Sequence, residues 1–343
     1  MSHLLENEAS FETKIIGFFY RQWLVYPKPI PQGTTLADQT AIVTGSNTGL
    51  GLEAARQLLQ LGLSHLIVAV RSQTKGDAAA KSLREQYPSA TISVWLLDME
   101  SYESVIAFAK RCETLERIDI VLLNAGMRTM SFTLVEATRH EKTFQINYLS
   151  TVLLAILLLP VLKTKKPLSS QHPPRLSIVA SDTAYWAPFS TTGPILAQCD
   201  DPSTFSSLMT YARTKLLQIY FVSRLAKEID PNDVIVSTCN PGLCTGTDFN
   251  QKLSLGFINA SFQYIFASIF GRKVEVGASA LVDAVVMKGK ESHGSYLSDW
   301  DIKPFPKVMY TKEGQGAGDR AWEETLEELN FARASEIVQR VKR

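Results

Sequence analysis

The chain has 343 residues, 45% hydrophobic and 20% charged, with 35 Lys plus Arg against 34 Asp plus Glu and a net charge of +1. That balance excludes the basic footprint of a nucleic-acid binder, and the apolar content excludes a disordered chain. Four cysteines without a CxxC or Cys/His cluster exclude a disulfide scaffold and a zinc site, and Cys239 and Cys244 read as buried thiols.

Residues 1–37 read as an N-terminal arm. The first fourteen carry Glu6, Glu8 and Glu12, the wrong charge for a secretory leader. The apolar run over 15–26 is too short to span a bilayer and is broken by Arg21 and Gln22. Phe18, Phe19, Trp23 and Leu24 are expected to dock on the body of the protein. Pro27, Pro29 and Pro31 close the arm. Strand-like runs then follow at 40–44, 65–70, 91–97, 118–123, 176–180 and 234–238. Helical runs fall between them, at 52–61, 78–86, 101–115, 148–162 and 211–228. This alternation predicts an α/β fold, a doubly wound parallel sheet with helices on both faces. The run at 153–162 reads as a buried helix. The uncharged stretch 253–270 reads as a greasy helix beside a substrate mouth rather than a membrane span. The triplet Asn259-Ala260-Ser261 fits a glycosylation acceptor, but nothing else points to secretion, so a cytoplasmic location is expected, with peripheral membrane contact left open. No linker divides the chain. Residues 38–330 are expected to form one domain, and 331–343 a helical tail, with helical character from 321 onward.

The turn Thr44-Gly45-Ser46-Asn47-Thr48-Gly49-Leu50-Gly51 lies between the first strand and first helix. Glycines there allow backbone to approach a phosphate, and the helix start offers free N–H groups to a pyrophosphate. Gly45, Asn47, Thr48, Gly49, Leu50 and Gly51 are therefore candidate dinucleotide contacts. The second strand ends on Val70-Arg71-Ser72 with Lys75 following and no acid before Asp77. A guanidinium suits a 2′-phosphate, which favours NADP over NAD. Asp98 and Met99 follow the third strand, where a carboxylate can accept from an adenine amino group or cap the loop. Asn124-Ala125-Gly126 ends the fourth strand with small residues suited to passing close to a cofactor.

Tyr211 and Lys215 stand at i and i+4, on one face of a predicted helix. A phenol titrates near pH 10 unaided, and a neighbouring cation lowers that value. Lys215 can also hydrogen-bond a ribose. Ser181 ends the fifth strand, where a hydroxyl can hold a carbonyl oxygen in line with Tyr211 or cap a turn. Asn147 falls in a helical stretch, where its amide can hold a water linking Lys215 to solvent or stabilise a kink. No G-x-S-x-G surrounds Ser181 and no histidine is placed to make it a hydrolase nucleophile.

Taken in order, Thr44-Gly-x-x-x-Gly-x-Gly51, Asn124-Ala-Gly126, Asn147, Ser181, Tyr211-x-x-x-Lys215 and Pro241-Gly242 resemble the short-chain dehydrogenases/reductases. Within that family the chain is similar to the retinol-dehydrogenase-like and fungal natural-product reductase branch, over roughly residues 38–330. The resemblance implies a Rossmann-like sheet of about seven strands. It implies a catalytic tetrad of Asn147, Ser181, Tyr211 and Lys215, with Pro241, Gly242 and Thr245 near the nicotinamide and a substrate lid at about 248–271. The activity implied is NADP(H)-dependent interconversion of a carbonyl and an alcohol on an apolar small molecule, that of a ketoreductase of secondary metabolism. Two alternatives stand beside it, a membrane-associated retinoid, steroid or lipid dehydrogenase and a non-catalytic NADP-binding regulator. Homo-oligomers are common in such a family. Two features depart from the pattern: Asp182 stands where a small or apolar residue is expected, and the stretch from Ser181 to Tyr211 is long, which suggests a remodelled substrate mouth.

Overall fold

The computed structural model describes residues 1–165, 172–245 and 270–342. Strands β1 (Thr40–Thr44), β2 (His65–Val70), β3 (Thr91–Leu96), β4 (Ile120–Leu123), β5 (Arg175–Val179), β6 (Ile235–Asn240), β7 (Tyr296–Ser298) and β8 (Asp301–Lys303) form one sheet, in the order β3-β2-β1-β4-β5-β6-β7-β8. Pairing is parallel from β3 to β7, so the order reverses at β1/β4, where a doubly wound sheet opens its ligand crevice. Central strands are buried on both faces, which is why they read as continuous apolar runs.

The seven parallel strands match the expectation of about seven, and an eighth, antiparallel strand extends the sheet beyond β7. Asp299 and Trp300 both take left-handed backbone angles, φ 55 and 58, and turn the chain so that β8 pairs antiparallel with β7. Three-residue strands carry too little alternation to be seen in a sequence.

Helices α1 (Glu6–Glu12) and α2 (Ile15–Leu24) make up the arm, followed by α3 (Gly49–Gln60), α4 (Gln73–Gln86), α5 (Tyr102–Cys112), α6 (Ser150–Thr164), α7 (Ser207–Leu225), α8 (Val274–Val286), α9 (Lys312–Glu328) and α10 (Ala334–Lys342). One core packs α3, α4 and α8 on one face of the sheet, and the other packs α5, α6 and α7 on the opposite face, with α9 and α10 outside them. The helix from Lys142 to Thr164 is long and apolar enough to cross a membrane, but 89% of its most apolar stretch is buried inside the protein, as a core helix would be. All four cysteines are buried.

The arm docks through Phe18, Arg21 and Gln22, which are buried. Trp23, 48% exposed, still stacks on Phe270 with ring centroids 5.1 Å apart, whereas Leu24, expected to dock, stays 60% exposed. The lid at 248–271, the greasy helix with its Phe257, Phe262, Tyr264 and Phe266, and the glycosylation triplet lie outside the described residues, apart from Phe270 and Gly271. The long stretch between Ser181 and Tyr211 is anchored to α9. Glu324 accepts from the backbone N–H groups of Ile195 and Leu196, and Arg320 donates to the Thr191 carbonyl. An open cleft of about 550 Å³ lies in this stretch, lined by residues such as Pro188, Phe189, Gln198 and Arg213.

Candidate active site

The glycine turn leaves β1 and enters α3 with Gly45 at φ +65 and Gly49 at φ +56, conformations that disfavour any side chain. A Cβ on Gly51 would sit 2.5 Å from both Asn124 Nδ2 and the Gly45 carbonyl oxygen. Thr48 caps α3 in extended backbone without a side-chain cap bond, so the first N–H groups of the helix keep their donors for a ligand. Ser46 braces the turn by donating to the Val43 carbonyl, and Leu50 packs against the α3/α8 core. Asn124 donates to the Thr44 carbonyl at 2.9 Å, and Ala125 N–H donates to Thr44 Oγ1 at 2.9 Å. The loop after β4 is thus sewn to the turn, with Gly126 left exposed. Uncapped donors, positive-φ glycines and a floor without room for a Cβ fit a pyrophosphate.

At the end of β2 the Arg71 guanidinium is mostly exposed and paired with Glu100 at 2.8 Å. A solvent-exposed pair of this kind contributes little, so it can yield to a stronger anion. Lys75 lies one turn along, and its backbone N–H donates to the Ser72 cap of α4. Asp98 accepts from Glu100 N–H at 3.0 Å and so caps its loop. The Met99 side chain is buried in the core, which leaves only its backbone for a ligand.

Tyr211, Lys215 and Ser181 converge at the carboxyl ends of β5 and β6. Lys215 Nζ stands 5.5 Å from the centroid of the Tyr211 ring, on its face. The Ser181 hydroxyl lies near enough to the Tyr211 phenol to favour its ionised form, and Ser181 Oγ accepts from Thr183 N–H at 3.2 Å, capping its turn. Tyr211 is only partly buried by area, yet enough protein surrounds the phenol that desolvation pushes it up to about 12. The Ser181 hydroxyl and the Arg128 guanidinium, on the loop after β4, pull it back. Burial pushes Lys215 down to about 7. Its Nζ donates to the Val179 carbonyl at 2.6 Å and to Gln218 Oε1 at 3.3 Å.

Asn147 lies in a π-helical turn (Gln145–Leu149) leading into α6. Its side chain is committed to the backbone: Oδ1 accepts from Met127 N–H at 2.8 Å, and Nδ2 donates to the Met127 carbonyl at 2.8 Å and to Thr214 Oγ1 at 3.3 Å. Gln218 Nε2 donates to the Asn147 main-chain carbonyl while Gln218 Oε1 accepts from Lys215, so a side-chain amide joins the two. Gln218 was missed, although 211, 215 and 218 share a helix face.

After β6, Gly242 has φ +77, and a Cβ there would collide with Gln22 Oε1 and Arg272 Nη1. Pro241 is buried, its carbonyl accepting from Arg272 Nη1 at 3.4 Å. Thr245 N–H donates to the Arg272 carbonyl at 2.9 Å.

Comparison with known proteins decides the family. The short chain dehydrogenase profile matches residues 39–169. The chain is 55% identical to the short chain dehydrogenase virL of Hypocrea virens, over all of both chains. The chain belongs to the short-chain dehydrogenase family. Another relative, the short chain dehydrogenase/reductase mfmJ of Annulohypoxylon moriforme, is 47% identical over 95% of this chain and 94% of its own. Among solved structures, the NADPH-dependent 3-quinuclidinone reductase of Rhodotorula rubra superposes with a TM-score of 0.58 at 18% identity, covering 82% of this chain and 96% of its own. L-sorbose reductase of Gluconobacter frateurii, complexed with NADPH and L-sorbose, gives 0.59 at 21% identity over 77% and 96%. At these identities the likeness carries the fold, the Rossmann-like sheet of a short-chain dehydrogenase.

Proposed function

We propose that this short-chain dehydrogenase is an NADP(H)-dependent ketoreductase acting on an apolar small molecule, within secondary metabolism. The observation that carries the reading is the convergence of Ser181, Tyr211 and Lys215 beside a glycine turn built for a pyrophosphate. The names of fungal relatives and of NADPH-dependent reductases with this fold support it.

Gly45, Asn47, Thr48, Gly49, Leu50 and Gly51 would hold the pyrophosphate, and Arg71 and Lys75 the 2′-phosphate. Asp98 and Met99 would border the adenine, and Asn124, Ala125, Gly126, Tyr211, Lys215, Pro241, Gly242 and Thr245 the nicotinamide half. When bound, NADPH supplies the hydride that reduces a carbonyl carbon. Ser181 holds the carbonyl oxygen by donating to it, which orients the substrate against Tyr211. Tyr211 donates its hydroxyl proton to the oxygen as negative charge develops there. Lys215, titrating near 7, can both release and take up a proton at Nζ close to neutral pH, and so reprotonates Tyr211. Gln218 keeps Nζ on the Tyr211 side, and Asn147 holds the Met127 backbone and the start of α6 in place. In the oxidative direction Tyr211 acts as the base.

Tyr211→Phe is expected to reduce NADPH-dependent turnover of a ketone and aldehyde panel by about 10²–10⁴-fold, with NADPH binding, followed by its fluorescence, largely retained. Turnover within a few-fold of the parent protein defeats the assignment.

A second reading, a peripheral-membrane dehydrogenase, draws on one observation: Ile15, Ile16, Tyr20, Trp23 and Leu24 are exposed on the outer side of the arm. Sedimentation with lipid vesicles that is lost on Ile16→Glu/Trp23→Glu would support it, and absence of sedimentation would remove it.

A further inference from the structure

The arm reaches the Ser181 turn through a buried ion cluster. Arg21 of α2 is 1% exposed and is surrounded by three carboxylates. It pairs with Glu12 of α1, with Asp182 at 3.1 Å through Nη2, and with Asp299 at 3.6 Å through Nε. Arg272 also pairs with Asp299 and donates to the Arg21 carbonyl at 2.7 Å, while Lys303 pairs with Glu12 at 3.0 Å. Three cations, Arg21, Arg272 and Lys303, thus meet three carboxylates, so the formal charges balance, although burial raises the Asp182 carboxyl against the pull of Arg21 and Arg272. Burial works against the Arg21 charge, and the surrounding acids more than offset it, holding the guanidinium above its ordinary range.

Its position gives the cluster a consequence. Asp182 follows Ser181 directly and opens the 3₁₀ turn (Asp182–Trp186) that Ser181 caps. Arg21 also lies over the Tyr185 ring at 5.4 Å, and Trp186 Nε1 donates to the Thr13 carbonyl at 2.7 Å. The arm therefore grips this turn at its first, fourth and fifth residues. Next along α2, Gln22 accepts from Leu243 N–H and donates to the Leu243 and Phe270 carbonyls. The acid that departs from the family pattern is answered by a cation from a segment about 160 residues away.

We infer that Arg21 is a positioning residue, which acts through Asp182 to hold the Ser181 turn where its hydroxyl meets Tyr211. The inference rests on the ketoreductase reading for the consequence in catalysis, and its structural half is testable without it. An unpaired buried carboxylate would shift toward solvent or toward another partner and take the Ser181 backbone with it, and small misplacements at a reacting centre cost up to about a hundredfold in rate.

The test compares the full chain with Asp182→Asn, Arg21→Lys, Arg21→Met and the Arg21→Met/Asp182→Asn pair. Asp182→Asn leaves Arg21 its contacts to Glu12 and Asp299, so the arm keeps its anchorage. It is expected to lower kcat about tenfold to a hundredfold, with KM and NADPH affinity within about twofold. Arg21→Lys, which keeps the charge, is expected to retain most of kcat. The double variant should lose no more than the worse single variant, because both act through one contact. In the protein without cofactor, hydrogen exchange should accelerate within 182–187 and stay unchanged in the central strands. Should Arg21→Met fail to fold, Asp182→Asn and Arg21→Lys decide. Unchanged kcat and unchanged exchange in Asp182→Asn, or additive losses in the double variant, would overturn the inference. Accelerated exchange in a protein whose parent turns over no carbonyl would instead overturn the ketoreductase reading and uphold the grip on the turn.

Discussion

Arg71 shows how a residue can be well placed and only weakly held. Its guanidinium is mostly exposed, and its partner Glu100 is shared with Lys142 at 2.9 Å, so the carboxylate keeps a cation when Arg71 turns away. A 2′-phosphate offers a charge-assisted bidentate contact that this surface pair does not match. Arg71→Gln is therefore expected to weaken NADPH binding by about tenfold to a hundredfold, the equivalent of roughly 1.5–3 kcal/mol, and to leave NADH binding within about twofold. Titration of cofactor fluorescence in both proteins checks this, and equal loss for the two cofactors would remove Arg71 from the 2′-phosphate. The pairing of Tyr211 with Lys215 was legible in the sequence, because an i, i+4 spacing puts both on one helix face and the motifs around it fall in the family's order. Arg128 was not, since only the fold brings the loop after β4 to bear on the Tyr211 phenol.

Elements were legible where their apolar period was clean. The six strands expected from the sequence all appear as β1 to β6, and the helices between them lie within a few residues of their predicted spans. Helix α8 was not expected, although Glu275, Ser279 and Asp283 recur along it at four-residue spacing; Gly277 inside it weakens the helical signal. The tail is helical from 321 onward, as expected, but breaks between α9 and α10, where Arg333 takes φ 55. Long-range polar ties left no trace in the sequence, and His140 is one of them. Its Nδ1 is 2.6 Å from Asp200 and its Nε2 3.0 Å from Glu328, which joins the strand-to-helix loop, the short helix at Ala197–Asp200 and α9. Burial works against its charge, and the two carboxylates outweigh burial, raising the imidazole to about 9. The unfolded imidazole titrates near 6.5. The folded value lies above the unfolded one, so the contribution is complete below about pH 6.5 and is lost as pH rises through about 9. Discounted for solvent screening, it is on the order of 1–2 kcal/mol. Melting temperature is expected to fall between these limits in the parent protein and to fall much less in His140→Gln. Parallel melting profiles would contradict the assignment.

At the scale of the molecule, the two ends of the chain do different work. The arm reaches the carboxyl ends of β5 and β6, whereas α9 and α10 cover the outer faces of α6 and α7. Trp322 of α9 packs on Phe221 of α7 with ring centroids 5.6 Å apart, and Thr325 meets the Tyr148 hydroxyl at 2.7 Å. Helix α10 buries Ala334, Val338 and Val341 against the α6 side of the core, and Lys163 donates to the Val341 carbonyl at 3.0 Å. Helix α6 is buried almost all round, so without this cover its leucines would face water. Removing residues 331–343 gives up the burial of two valines, an alanine and part of Ile337, offset by the chain entropy regained. The net loss is roughly 2–4 kcal/mol. A chain ending at Asn330 is expected to unfold at lower denaturant and to associate through the uncovered surface as its concentration rises. Turnover below its melting point should be preserved, because Ser181, Tyr211 and Lys215 touch neither α9 nor α10 among the described contacts. Denaturant titration and light scattering check the first two outcomes. Loss of turnover in a truncated chain that is still folded would show that the tail reaches the site.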